Sequence, residues 1–195
     1  KELNPIDPSS DFNSGLLAYY TFDDGTANDQ SGQNAHATTP NGCSFVNDNG
    51  RNCLKLGYTN AEYLNIPYNF FSGINHWSVS FWIKDLTTGN VFAAQNSSSS
   101  FYHDVPKLWA KSDGMLRIET SEYTDGIVDL AYNYSQNSGT WHHFVIVADG
   151  MFNNYQGTIK FFVDGMLYDN VTPRYVQSTI NGNSRIQFGG DKNGT

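Results

Sequence analysis

The residues able to do chemistry in this chain fall into four groups, and their spacing already separates them. Carboxylates come first, because glycoside hydrolysis needs two of them flanking the scissile bond. The nearest arrangement is Glu119-Thr120-Ser121-Glu122, with Asp125 beyond it. In an extended strand, positions three apart point to opposite faces, so Glu119 and Glu122 cannot pair without a bulge. That spacing predicts exposed acids at a strand end. His142 and His143 follow Trp141, and alternation aims the two rings to opposite sides. No serine or cysteine is placed to complete a nucleophilic triad with either.

Cys43 and Cys53 are the only cysteines, and Asn47-Asp48-Asn49-Gly50 lies between them. Asn-Gly is a hairpin-turn signal, so the two thiols are expected to face each other across adjacent strands and to form a disulfide. The alternative is two unrelated buried thiols. A disulfide would imply an oxidising compartment. Structural zinc is excluded, because most such sites take four ligands and no further cysteine exists to help. The last group is aromatic and amide. Sugars are held by ring faces that cover their C–H surfaces and by amides and carboxylates that meet their hydroxyls. Trp82, Trp109, Tyr102, Tyr123, Tyr132 and Tyr134, with Gln95, Asn96 and Asp104, supply both kinds. Trp82, Trp109, Tyr102 and Asn96 are the expected ligand-binding set. Trp82 leads it, because it shares a strand face with the polar residues Ser78, Ser80 and Lys84.

The elements that must position these groups are short and extended. Residues 1–14 read as a lead-in or linker, and residues 15–195 as one domain. Expected strands are Leu16–Phe22, Cys53–Gly57, Ala61–Ile66, Trp77–Ile83, Val91–Gln95, Leu108–Lys111, Met115–Thr120, Ile127–Asn133, Trp141–Ala148, Gly157–Val163, Met166–Asn170 and Arg185–Phe188. Trp77–Ile83 alternates apolar and polar positions cleanly, the period of a half-buried strand. Trp141–Ala148 is apolar on both faces, which suits a central strand. No segment holds a helical period with caps. More than ten strands at this spacing predict an all-β, two-sheet antiparallel sandwich or barrel.

Composition agrees. Charged residues make up 15% of the 195-residue chain, against 22 Asn, 18 Gly and 29 aromatics. Asn and Gly disfavour helix, aromatics favour pleated surfaces, and disordered chains lack them. The net charge of −8, with no basic patch, argues against a nucleic-acid partner. No apolar run reaches the ~18 residues of a transmembrane segment. The polar start Lys1-Glu2-Leu3-Asn4-Pro5 reads as what could follow a removed leader, and the chain is expected to be secreted or on a cell surface.

Gly15-Leu16-Leu17-Ala18-Tyr19-Tyr20-Thr21-Phe22-Asp23-Asp24-Gly25, followed by Asp29-Gln30-Ser31-Gly32-Gln33-Asn34, resembles the opening of laminin-G-like (concanavalin A-like) jelly-roll domains. Leu54-Lys55-Leu56 to Pro67, Trp77–Lys84, Trp141-His142-His143-Phe144 and Ile159–Gly165 resemble later phrases of that family in the right order. The resemblance implies a jelly-roll sandwich. It leaves function open, because one such fold hosts lectin modules, adhesion domains and glycanases. Laminarinase-type members carry a Glu-x-Asp-x-(x)-Glu run on one strand, which this chain lacks, so no catalytic residue is assigned.

Calcium-binding members often draw ligands from the turn after the first strand, and here Asp24, Asp29, Gly32 and Asn34 are the expected set for a Ca²⁺ ion, with Asp23 and Asn28 nearby. These are the oxygen donors a hard cation prefers, unless Asp29–Gly32 is simply an Asx turn. The family also continues into a further strand that pairs with the N-terminal one. This sequence stops at Lys192-Asn193-Gly194-Thr195, so either it is truncated or that strand is supplied otherwise, and a missing partner would expose the edge of Leu16–Phe22. The expected function is a non-catalytic carbohydrate-binding (lectin-like) module taking a glycan or cell-surface polysaccharide with affinity on the order of micromolar to millimolar, set among other domains of a larger protein. A protein-recognition or adhesion module is the alternative, and a glycoside hydrolase follows it.

Overall fold

The computed structural model describes residues 15–39, 43–57, 62–66, 76–95, 106–119, 127–136, 138–149, 157–171 and 185–189. The lead-in and the stretch after Gly189 lie outside them. Among the described residues twelve strands run in order: β1 (Ser44–Asp48), β2 (Arg51–Lys55), β3 (Leu64–Ile66), β4 (His76–Ile83), β5 (Gly89–Gln95), β6 (Lys107–Ala110), β7 (Met115–Glu119), β8 (Ile127–Asn133), β9 (His142–Asp149), β10 (Thr158–Val163), β11 (Met166–Val171) and β12 (Arg185–Phe188). The helical content of the described residues is one 3₁₀ turn, Tyr134–Gln136.

Three antiparallel sheets result: the hairpin β1-β2, a four-stranded sheet β11-β10-β9-β4, and a six-stranded sheet β3-β12-β5-β6-β7-β8. The two larger sheets face each other, and alternation within each strand decides what lies between them. The six-stranded sheet turns Phe92, Leu108, Ala110, Leu116, Ile118 and Leu130 inward, and the four-stranded sheet turns in Trp77, Phe144, Ile146, Ile159, Phe161 and Val163. Phe144 is the hub, edge-on to Phe81, Tyr132 and Phe161. β9 lies between β10 and β4 as its apolar sequence predicted. This is the two-layer jelly-roll sandwich.

Turn chemistry sets the registers that position the surface residues. Asn49 and Gly50 sit at φ 54° and 88°, the left-handed pair that a two-residue hairpin needs. Asp164 and Gly165 repeat the pattern at 52° and 80° between β10 and β11.

Two expectations are corrected. Leu16–Phe22 joins no ladder among the described residues, because its backbone groups serve the following turn instead. Tyr19 N donates to Asp29 Oδ1 at 2.8 Å, Tyr19 O accepts from Gln30 N at 2.7 Å, and Phe22 O accepts from Gly25 N at 3.1 Å. The expected Cys43–Cys53 disulfide is not formed in the structure. The register pairs Cys53 with Val46, so Cys43 falls three positions further along and on the opposite face. Cys43 Sγ meets Tyr63 O, Cys53 Sγ meets Val46 O, and burial is the main cause pushing both thiols up. Two thiols are therefore expected to titrate with a disulfide-exchange reagent in denaturant without prior reduction. Recovery of none would mean that the cysteines are bridged.

Candidate functional site

β4 carries Trp77, Val79, Phe81 and Ile83 into the core and presents Ser78, Ser80 and Trp82 outward, as its burial pattern shows. Trp82 is 46% exposed. Its partner across the ladder is His143 on β9, and the two rings stack with centroids 5.0 Å apart and an interplanar angle of 25°. His143 Nε2 is held by Ser80 Oγ at 2.7 Å. The tip of the β1-β2 hairpin reaches over the same end of the sheet. The Arg51 guanidinium lies 4.2 Å from the Trp82 ring centroid and 5.3 Å from that of Trp141. Asp48, opposite Arg51 in the hairpin, accepts from Lys84 Nζ at 2.7 Å and Trp141 Nε1 at 2.8 Å through Oδ2. The Lys84 hydrogen bond is the main reason the Asp48 carboxyl sits below its usual range. The hairpin is thus clamped on the sheet by one acid and one stacked cation. The Trp82 ring is engaged by His143 and Arg51, yet the residue as a whole stays exposed.

The other expected ligand residues do not join it. Trp109 is half-buried on the outer face of the six-stranded sheet, on the other side of the sandwich, with Lys107 Nζ 4.4 Å from its ring centroid. Tyr132 and Tyr134 belong to the core, and Tyr134 OH donates to Lys111 O at 2.6 Å. Tyr102 and Asn96 lie outside the described residues, as do Tyr123 and Asp104. Sequence reasoning missed Arg51 and Asp48, which reach Trp82 and Lys84 from more than thirty positions away with no local signal.

The expected calcium turn is occupied by its own hydrogen bonds. Asp29 is 8% exposed. Its Oδ1 accepts from Tyr19 N at 2.8 Å and Ser31 N at 2.9 Å, and its Oδ2 from Ser31 Oγ at 2.7 Å and Ala35 N at 3.0 Å. Four donors use both oxygens fully. Asp24 Oδ1 accepts from Thr26 N at 3.0 Å and Thr26 Oγ1 at 2.7 Å, an Asx turn. Gly32 and Asn34 take positive φ, shaping the loop around Asp29. Among the described residues, no three His, Cys, Asp or Glu side chains gather as a metal site would need. In this arrangement the carboxylates of Asp24 and Asp29 serve their own turns, and an ion would have to displace those hydrogen bonds. Excess chelator is therefore expected to leave the melting temperature where millimolar calcium leaves it. A clear drop in chelator would overturn that reading, since a ligand of the native state stabilises it.

The acids and histidines are also tied into structure. Glu119 ends β7 with Lys107 Nζ 3.6 Å away, and Glu122 and Asp125 lie outside the described residues. Asp129 shares the outer face of the six-stranded sheet with Glu119. It is held by Arg117 Nε at 2.7 Å and Lys111 Nζ at 2.9 Å, and the Arg117 hydrogen bond leads in keeping its carboxyl below the usual range. A general acid needs the opposite shift. His142 points to the rim of the core. Its Nδ1 meets Asp164 Oδ2 at 2.7 Å and its Nε2 meets Thr140 Oγ1 at 2.7 Å, beside a shallow surface indentation that His142 and Thr140 help line. Asp164 Oδ1 also accepts from His143 N at 2.9 Å, so the carboxylate ties the β10-β11 turn to the start of β9.

The sandwich, its strand order and the exposed Trp82 can now be set against known proteins. A family model of the concanavalin A-like lectin/glucanases superfamily matches residues 58–195. The chain belongs to that superfamily. No curated protein sequence matches it. Among solved structures, the binding domain of Paraclostridial Mosquitocidal Protein 1 superposes with a TM-score of 0.65 at 17% identity, over 93% of this chain and 46% of that one. Domain 4 of AbnA, a GH43 extracellular arabinanase from Geobacillus stearothermophilus solved in complex with arabinotriose, gives 0.65 at 16% identity, over 90% and 84%. The binding domain of Botulinum Neurotoxin DC in complex with SialylT gives 0.62 at 18% identity, over 91% and 43%. This superfamily member thus spans less than half the length of the mosquitocidal and neurotoxin chains it resembles. At these identities the likeness carries the fold.

Proposed function

We propose that this chain is a non-catalytic carbohydrate-binding module of a secreted or cell-surface protein, with the outer face of β4 and β9 around Trp82 as its binding face. The observation that carries the reading is Trp82, a residue 46% exposed whose ring is stacked on His143 and lies under Arg51, beside the outward-facing Ser78 and Ser80. A ring fixed in place can cover the C–H face of a sugar with little ordering cost. The similarity to an arabinanase domain in complex with arabinotriose and to a toxin binding domain in complex with SialylT supports the same class. Other domains of a larger polypeptide would then bring the glycan, or what it coats, to the partner activity.

A second reading, recognition of a protein, is favoured by Met166 and Leu167, which stand 67% and 53% exposed on the edge strand β11. A glycan array containing arabino-oligosaccharides and sialylated glycans separates the two. Selective binding to a subset of glycans, with no shortening of a bound oligosaccharide on incubation, is the expected result. Silence across the array would favour the protein-recognition reading, and cleavage of the oligosaccharide would overturn the non-catalytic one.

A further inference from the structure

We propose that the glycan taken at the Trp82 face carries a carboxylate, bound by the guanidinium of Arg51. The inference rests on the carbohydrate-binding reading of that face and adds the chemical class of the ligand. Arg51 is exposed at the start of β2, and its guanidinium makes no hydrogen bond and no ion pair with the described residues. Its nearest acid across the hairpin, Asp48, is already engaged by Lys84 and Trp141. In a chain with 19 acids and 11 bases, a cation left without a carboxylate is set apart by geometry.

What holds it is stacking: 4.2 Å to the Trp82 centroid and 5.3 Å to that of Trp141. A guanidinium held over the rings in this way has no acceptor among the described residues for its N–H donors. Those donors form a planar fork that matches a carboxylate in two parallel hydrogen bonds. Pre-ordering by two indoles removes much of the entropy an arginine would otherwise lose on binding. Lys55, a second cation, lies on the same hairpin face and is exposed. A uronic or sialic acid satisfies this arrangement. Its ring C–H surface meets the open part of Trp82 while its carboxylate meets Arg51.

Isothermal titration with matched probes tests it: tri-galacturonate against its methyl ester, 3′-sialyllactose against lactose, and a sulfated disaccharide. At least one acid is expected to bind about tenfold or more tighter than its neutral counterpart, the scale of one charge-assisted pair. The advantage should shrink to near unity in Arg51→Gln. Arg51→Lys, which keeps the charge without the fork, should retain only part of it. Melting curves of both variants check that the hairpin stays in place. Should Arg51→Gln lower the melting point, the Arg51→Lys protein and the acid-to-ester ratio in the unaltered chain still decide. Equal binding of acid and ester overturns the inference and leaves the carbohydrate reading standing. Equal binding of the sulfated probe overturns the carboxylate class, and binding of no probe or array glycan overturns both.

Discussion

Asp29→Ala is expected to destabilise the domain by about 3 kcal/mol, because buried N–H groups left without an acceptor cost roughly 1–3 kcal/mol each. Asp29 receives Tyr19 N, Ser31 N, Ser31 Oγ and Ala35 N, and alanine offers none of them a partner. For a domain of this size that loss lowers the melting temperature by roughly 6–12 °C. Asp29→Asn should recover only part of it, since one of the two oxygens becomes a donor facing a donor.

The same contacts give a pH signature. Burial alone would raise the Asp29 pKa, but the hydrogen bonds from Ser31, Tyr19 and Ala35 outweigh it and leave it below 3.8. A depressed folded-state pKa contributes stability that is present above the unfolded value and is lost as pH falls through the folded one. Denaturant midpoints measured from pH 6 downward should therefore fall below about pH 4 in the unaltered protein. The fall should be shallower in Asp29→Ala. Identical acid limbs would remove Asp29 from the explanation.

The second large effect concerns binding. Trp82→Ala is expected to abolish oligosaccharide binding while costing about 1 kcal/mol of stability, the scale of an exposed cation–π contact with Arg51. Phe144→Ala supplies the contrast. That ring is buried against Phe81, Tyr132 and Phe161, and cutting a core aromatic to alanine costs about 3–5 kcal/mol. Urea unfolding of the two variants side by side checks the comparison. A Trp82 variant as unstable as the Phe144 one would place the indole in the fold's support.

The strands around this site were legible because their signals are local. Trp77, Val79, Phe81 and Ile83 alternate with Ser78, Ser80 and Trp82, and one face had to be buried. Asp164-Gly165 and Asn49-Gly50 mark turns whose dihedrals few other pairs adopt. Of the proposed site, one residue, Trp82, could be named from the sequence. Its companions arrive through a hairpin that folds back onto the sheet, and nothing near Arg51 or Asp48 in sequence indicates where that hairpin lands. Leu16–Phe22 misled because strand composition cannot state whether a partner strand pairs with it.

The cysteines were a different kind of error. Residues ten positions apart around a two-residue turn cannot face each other, since opposed positions there are always separated by an odd number. Placing the turn at Asn49-Gly50 already puts Cys43 and Cys53 on opposite faces. The calcium expectation rested on oxygen-rich side chains, and a count of donors does not reveal that Asp29 already accepts four hydrogen bonds.

The central claim is that the Trp82 face binds the ligand, and amide and indole NMR shifts during titration with an array-positive oligosaccharide test it most directly. The account predicts the largest changes at the Trp82 indole N–H and at the backbone amides of Ser80, Arg51 and His143, with the Trp109 indole unmoved. Changes centred on Trp109, Arg117 and Lys107, across the other side of the sandwich, would contradict it.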